Sequence, residues 1–189
     1  MPRENSTRYA LLGLLTTSCR TGYEMKQMID HSLNHFWKIS FGQVYPTLKA
    51  LEQDGLIVLS NEEDDRKAYE LTESGETELR RWLEEKPEEL PVQRNELLLK
   101  LFFARHEPLE ETIEKITHHE ALLRGRLETY EAIETMIRSS ETQSPDAMYW
   151  LMTLDYGKTQ TRALIEWCER TVRMIEGGTD DETENGRTE

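Results

Sequence analysis

Apolar positions in this chain first run together, then recur every three to four residues, then alternate, and each change of period predicts an element. Tyr9, Ala10, Leu11, Leu12, Leu14 and Leu15 crowd a helix over about Arg8–Thr17, buried on most sides. Thr21-Gly-Tyr-Glu24 has the form of a capping box, and the helix it opens sets Tyr23, Met25, Met28, Ile29 and Leu33 inward. Ser40-Phe-Gly-Gln43 is a second box, followed by Val44, Leu48 and Leu51 at helical spacing and by Gly55 as a stop. Leu56–Ser60 and Lys67–Leu71 read as strands of a hairpin around the turn Asn61–Arg66. Thr72 caps a fourth helix that reaches about Glu85, with Leu79, Trp82 and Leu83 inward. Three helices followed by two strands is the plan of a winged helix-turn-helix, which lays its third helix in the DNA major groove.

Pro46 interrupts this third helix past its first turn, deleting a backbone donor and crowding the carbonyl four residues back. A kinked or late-starting helix accounts for it, as does a kink that aims the exposed face, Tyr45 included, at a ligand. Beyond a Glu-rich stretch bracketed by Pro87 and Pro91 every segment reads as helical. Glu96–Arg105 contains LLLKLFFA, apolar enough to be enclosed, and His106-Glu-Pro108 ends it. Leu109 to about Ser139 carries Ile113, Ile116, Leu123, Leu127, Tyr130 and Ile137 near three- and four-residue spacing. Ser144-Pro145 is a cap with proline at the first helical position, and the helix it starts runs to about Glu176.

The fold class is therefore mainly α: a winged helix of three helices plus a β-hairpin wing, then long C-terminal dimerisation helices. We divide the chain into a winged-helix DNA-binding domain (1–86), a linker (87–94), a helical dimerisation domain (95–176) and a disordered acidic tail (177–189). Helices of about thirty residues are roughly 45 Å long and cannot bury Trp150, Leu151, Leu154, Tyr156, Ile165, Trp167 and Val172 against one another. A second copy of the chain is the expected cover, giving a homodimer held by a packed bundle.

Charge modifies the picture. The 189 residues carry a formal net charge of -14. Residues 1–71 hold eight Lys/Arg against ten Asp/Glu, so nearly all of the excess lies beyond them. Affinity for DNA must then come from a local basic surface, while the acidic body opposes misoriented encounters with phosphate. Cys19 and Cys168 stand far apart, which suits a reducing cytoplasm. No apolar run approaches the roughly 20 residues of a membrane span, and the chain reads as soluble and intracellular.

TGYEM, FWKISFGQVYPTLKALEQDGLI, DRKAYELTESGETELRRWL and NELLLKLFF, with PDAMYWLMTLDYG and IEWCERTVRMI near the end, closely resemble PadR-type transcriptional regulators of the longer subgroup. The resemblance spans roughly residues 8–175. It implies a winged helix that grips a palindromic operator, C-terminal helices that dimerise, and in most members a repressor released by a small molecule. By the same resemblance the recognition helix is Ser40–Gln53, and Tyr45 matches a family tyrosine that touches the DNA backbone. The residues themselves agree. Gln43, Thr47 and Lys49 face away from Val44, Leu48 and Leu51, with Ser40 at the helix start, a position suited to phosphate. Gln43 has the paired groups that read adenine, and Lys49 reaches phosphate or guanine. Lys38 adds charge just before the helix, and Arg66 and Lys67 form the one adjacent basic pair in the first 71 residues. Glu62, Glu63, Asp64 and Asp65 precede that pair and oppose its approach to phosphate.

Other chemistry is thin. His31 and His35 are four apart without a third ligand, His118 and His119 diverge around a helix, and neither cysteine has a metal-like partner, so no metal and no cofactor is expected. No nucleophile–base series or phosphate loop is present, so no enzyme is expected. Trp37, Lys100, Phe103, Tyr149 and Tyr156 flank the expected junction of the two domains. Aromatics with one cation suit a small aromatic acid as effector. The acidic balance and the EEDD wing tip keep one alternative open, a winged-helix protein-interaction module without DNA binding.

Overall fold

The computed structural model describes residues 3–30, 37–63, 66–90, 94–139 and 144–185, and the chain divides into two compact units, Met1–Pro91 and Val92–Glu189. Leu33, His31, His35, Asp64, Asp65 and Pro91 lie outside the described residues, as does the side chain of Arg66.

In the first unit α1 spans Arg3–Leu15, α2 Gly22–Met28 and α3 Phe41–Gln53; β1 (Ile57–Glu63) and β2 (Arg66–Leu71) precede α4 (Glu73–Glu84). Leu11 and Leu12 of α1, Met25 of α2, Val44, Leu48 and Leu51 of α3 and Ile57 of β1 close one apolar core. Both capping positions are used. At α2 the Thr21 hydroxyl accepts from the Glu24 N–H (3.2 Å), and Glu24 Oε2 accepts from the Arg20 and Thr21 N–H groups at 2.8 and 2.9 Å. One Arg20 guanidinium nitrogen donates to the carbonyls of Leu15, Thr17 and Cys19, closing the turn after α1. Arg8 pairs with Asp54 at 2.7 Å and so ties α1 to the end of α3. Tyr9 and Trp82 stack at 4.7 Å, and the Tyr9 hydroxyl donates to Glu78 at 2.8 Å, which fastens α4 to α1.

Several expectations change. Tyr23 is exposed, not inward. At about 100° per residue it points well away from Gly22, Met25 and Ile29, the face of α2 that the core takes. Leu83 is exposed as well, because nothing described covers the last turn of α4. The strands are longer than the hairpin reading: Asn61, Glu62 and Glu63 belong to β1, with a register shift between Leu59 and Asn61. Pro46 neither ends α3 nor delays its start, since α3 begins at Phe41 on its Ser40 cap and is assigned as one helix through Gln53.

The second unit consists of α5 (Glu96–Phe102), a 3-10 turn (Ala104–His106), α6 (Leu109–Ser139) and α7 (Ala147–Asn185). Ion pairs Arg124–Glu169, Arg162–Glu131 and Lys158–Glu134 link α6 to α7 with residue numbers running oppositely, so the two helices are antiparallel. Ile116, Leu123, Ile165 and Cys168 are buried between them. The stretch LLLKLFFA is not enclosed: Leu98, Leu99, Phe102 and Phe103 are exposed, Phe102 by 81%. Seven helical residues offer one stripe to the rest of the unit, and Leu101 supplies it. The helix expected to stop near Glu176 instead continues through Gly177 and Gly178 to Asn185. Glycine costs about 1 kcal/mol of helix propensity but stops a helix only where it turns to positive φ, and Gly55 alone does so among the described residues.

Candidate nucleic-acid interface

α3 owes its orientation to three side chains. Val44, Leu48 and Leu51 are fully buried, which turns the opposite ridge outward: Gly42, Pro46, Lys49 and Gln53 are all exposed. Two of the four carry little or no side chain beyond the backbone, so a groove floor can approach α3 closely there. Lys49 is the only cation on α3. Lys38 and Ser40 are exposed just before it.

Gln43 is committed locally. Its Oε1 accepts from the Ser40 N–H at 3.0 Å and from the Ser40 hydroxyl at 3.2 Å. A backbone N–H can only donate, so the amide orientation is settled: oxygen toward the cap, NH2 outward. Paired reading of adenine uses both ends of the amide, and one end already serves the helix start. Thr47 is half-buried, and its hydroxyl donates to the Gln43 carbonyl at 2.7 Å, so it sits at the edge of the outward ridge. Tyr45 is exposed on the flank, near-parallel to Phe41 at 6.4 Å, and Lys26 of α2 lies over the Phe41 ring at 5.2 Å.

The wing is described by its backbone register. Glu62 stands opposite Lys67 and Glu63 opposite Arg66. Between α2, α3 and β2 lies a cleft of about 720 Å³ lined by Tyr23, Gln27, Tyr45, Lys67 and Tyr69 among others. Sequence reasoning assigned no role to Tyr23, Gln27 or Tyr69 here. A helical wheel of α2 drawn on Gly22, Met25 and Ile29 would have exposed Tyr23.

The proposed effector residues fall in both units. Trp37, in the first, is packed against the core, and its buried indole N–H has no hydrogen-bond partner among the described residues. In the second, Lys100 pairs with Glu96 at 2.7 Å, while Phe103, Tyr149 and Tyr156 are exposed. Among the described residues no group of three or more His, Cys, Asp or Glu could hold a metal ion. His118 is exposed and His119 half-buried; burial chiefly, then Arg126 and His118, holds the His119 imidazole below its usual range.

Comparison with known proteins finds matches to both parts of the chain. The profile of the Transcriptional regulator PadR-like family matches residues 11–81, and that of Virulence activator alpha C-term matches residues 93–176. The Negative transcriptional regulator PadR of Bacillus subtilis is 27% identical over 177 residues, covering 89% of this chain and 97% of its own. The crystal structure of Bacillus subtilis PadR in complex with operator DNA is similar at a TM-score of 0.78 and 26% identity, over 90% of this chain and 99% of that one. The same protein in complex with p-coumaric acid also gives 0.78 at 26% identity, over 93% and 98%.

Proposed function

This chain belongs to the PadR-like family of transcriptional regulators, and on that premise we propose that it is a homodimeric repressor that binds an inverted-repeat operator and releases it on binding a small organic effector. The observation that carries the reading is α3, one face of which is wholly buried while Gly42, Pro46, Lys49 and Gln53 stand exposed beside a two-stranded wing. A helix of about 10–12 Å diameter fits a major groove about 12 Å wide. Two copies would place two such helices about 34 Å apart, one on each half-site.

The apolar side chains left uncovered in the second unit, Leu98, Leu99, Phe102, Met148 and Met152 among them, support dimerisation through that unit. The p-coumaric acid complex of the Bacillus subtilis protein supports an aromatic acid as the effector class, with Lys100, Phe103, Tyr149 and Tyr156 of the second unit as candidate contacts. We assign the chain no enzymatic activity, in keeping with a family that acts through transcription. We place it in the cytoplasm with its operator; no described helix is long and apolar enough to cross a membrane.

Selection of bound duplexes from a random pool, followed by gel shifts across a salt series, tests the reading. The expected result is one inverted-repeat sequence, bound by two copies, with affinity falling steeply as salt rises and falling again when p-coumaric acid is added. Failure to select any duplex at low salt would sink the proposal of DNA binding. A complex insensitive to a panel of aromatic acids would remove only the effector class.

A further inference from the structure

We propose that the cleft between α2, α3 and β2 seats a backbone phosphate of the DNA, with the Tyr23 hydroxyl as a donor to it; this rests on the DNA-binding reading above. Geometry selects the ligand. Once α3 fills the major groove, groups on the elements flanking it face the sugar-phosphate strands that wall the groove, not the base edges. Tyr23 on α2 and Lys67 on β2 occupy those two flanks, with Tyr45 on α3 between them, and all three line one cleft of about 720 Å³.

Hydrogen bonding selects the donor. Gln27 Nε2 donates to the Tyr23 hydroxyl at 2.9 Å. An oxygen that accepts from Gln27 keeps its own hydrogen to direct elsewhere, and Tyr23 is 56% exposed. Tyrosine hydroxyls are among the groups that position proteins on phosphates without reading sequence. Among the described residues lining the cleft Glu24 is the one acid, and its Oε2 is engaged by the Arg20 and Thr21 N–H groups. The shape of the cleft depends on Gly22. A Cβ there would stand 2.9 Å from Tyr45 Cε1, so the missing side chain lets the Tyr45 ring lie against α2.

The test uses the full chain and the duplex it selects. Tyr23→Phe removes only the hydroxyl of an exposed side chain, so the melting temperature is expected to hold. Affinity is expected to fall about tenfold, equally for every base variant of the operator, with the salt slope unchanged. Gln27→Ala keeps the hydroxyl but removes the group that orients it, and is expected to lose part of the same affinity. Replacing operator phosphates one at a time by neutral methylphosphonate should reveal a position that costs the parent about tenfold and costs Tyr23→Phe nothing more. Tyr23→Phe binding within twofold of the parent overturns the seat and leaves DNA binding standing. So does a methylphosphonate scan identical for parent and variant. A parent that selects no duplex overturns both.

Discussion

Gly75 sets helix propensity against tertiary fit. It lies in the first turn of α4, where alanine would ordinarily be worth about 1 kcal/mol of added helix stability. Its backbone N–H donates to the Thr72 hydroxyl at 3.0 Å, while that hydroxyl donates to the Gly55 carbonyl at 2.7 Å and the Thr72 N–H donates to the Leu56 carbonyl at 3.1 Å. The end of α3, the start of β1 and the start of α4 thus meet at one cap. A Cβ at Gly75 would stand 2.0 Å from the Leu56 carbonyl oxygen, a backbone atom that no rotamer change can move. Restoring an ordinary contact of roughly 3.5 Å requires the two segments to part by about 1.5 Å. That breaks the Thr72–Leu56 bond, leaving half-buried groups unpaired at about 1–3 kcal/mol, and loosens a cap worth about 1 kcal/mol. The clash wins: Gly75→Ala is expected to destabilise the first unit by about 1–3 kcal/mol after the propensity gain. Hydrogen exchange read by mass spectrometry on the full chain isolates the effect. Peptides of β1, β2 and α4 should exchange roughly 5–150-fold faster, since about 1.4 kcal/mol is tenfold, with α6 and α7 unchanged. Equal or slower exchange in β1 and α4 would refute the argument and show that propensity governs this position.

Other substitutions probe the remaining links. Gly157→Ala puts a Cβ 2.9 Å from Tyr130 Cζ; it should cost about 1–3 kcal/mol by overpacking, seen as faster exchange confined to α6 and α7. Glu24 is held below its ordinary carboxylate value of 4.5 first by the Arg20 N–H and then by the Thr21 N–H. Its contribution is therefore full above that value and lost as pH falls through the lower folded one. Glu24→Gln should cost about 0.5–1 kcal/mol at neutral pH and nothing at the acid end, and a cost independent of pH in denaturant titrations would disprove this. Gln43→Glu keeps an acceptor for the Ser40 N–H but turns the outward NH2 into a carboxylate oxygen. Its melting temperature should hold while operator affinity drops at least tenfold, and an unchanged gel-shift midpoint would remove Gln43 from the interface. Lys49→Ala should weaken binding by about 1–3 kcal/mol if the ammonium meets a base, or flatten the salt slope by about one if it meets phosphate; no change in either excludes it.

Much of the fold was legible because short-range rules act unopposed at element starts. Thr21 with Glu24, Ser40 with Gln43, and Thr72 sit at the N-caps read from the sequence. Val44, Leu48 and Leu51 turn one face of α3 inward, as their spacing requires. Reading weakened where the choice of face depended on which neighbours arrive. Tyr23 and Leu83 are as apolar as residues that do enter the core, and LLLKLFFA is apolar throughout, yet hydrophobicity alone does not say whether a partner covers a face. The site was partly legible for the same reason: Lys38, Ser40, Gln43, Tyr45 and Lys49 are exposed in and before α3, while the tyrosine cleft draws on three elements at once.

By itself the sequence determined the order of elements, their caps, the inward stripe of α3 and the acidic excess of the second half, all properties of neighbours within a few residues. Tertiary structure alone decided that Gln43 spends its oxygen on Ser40, that Glu62 and Glu63 stand opposite the basic positions of the wing, and that Tyr23, Tyr45 and Lys67 share a cleft. These depend on strand register and on helices meeting in space. Distances between residues remote in sequence are settled only when the whole unit minimises its exposed apolar surface and pairs its backbone groups.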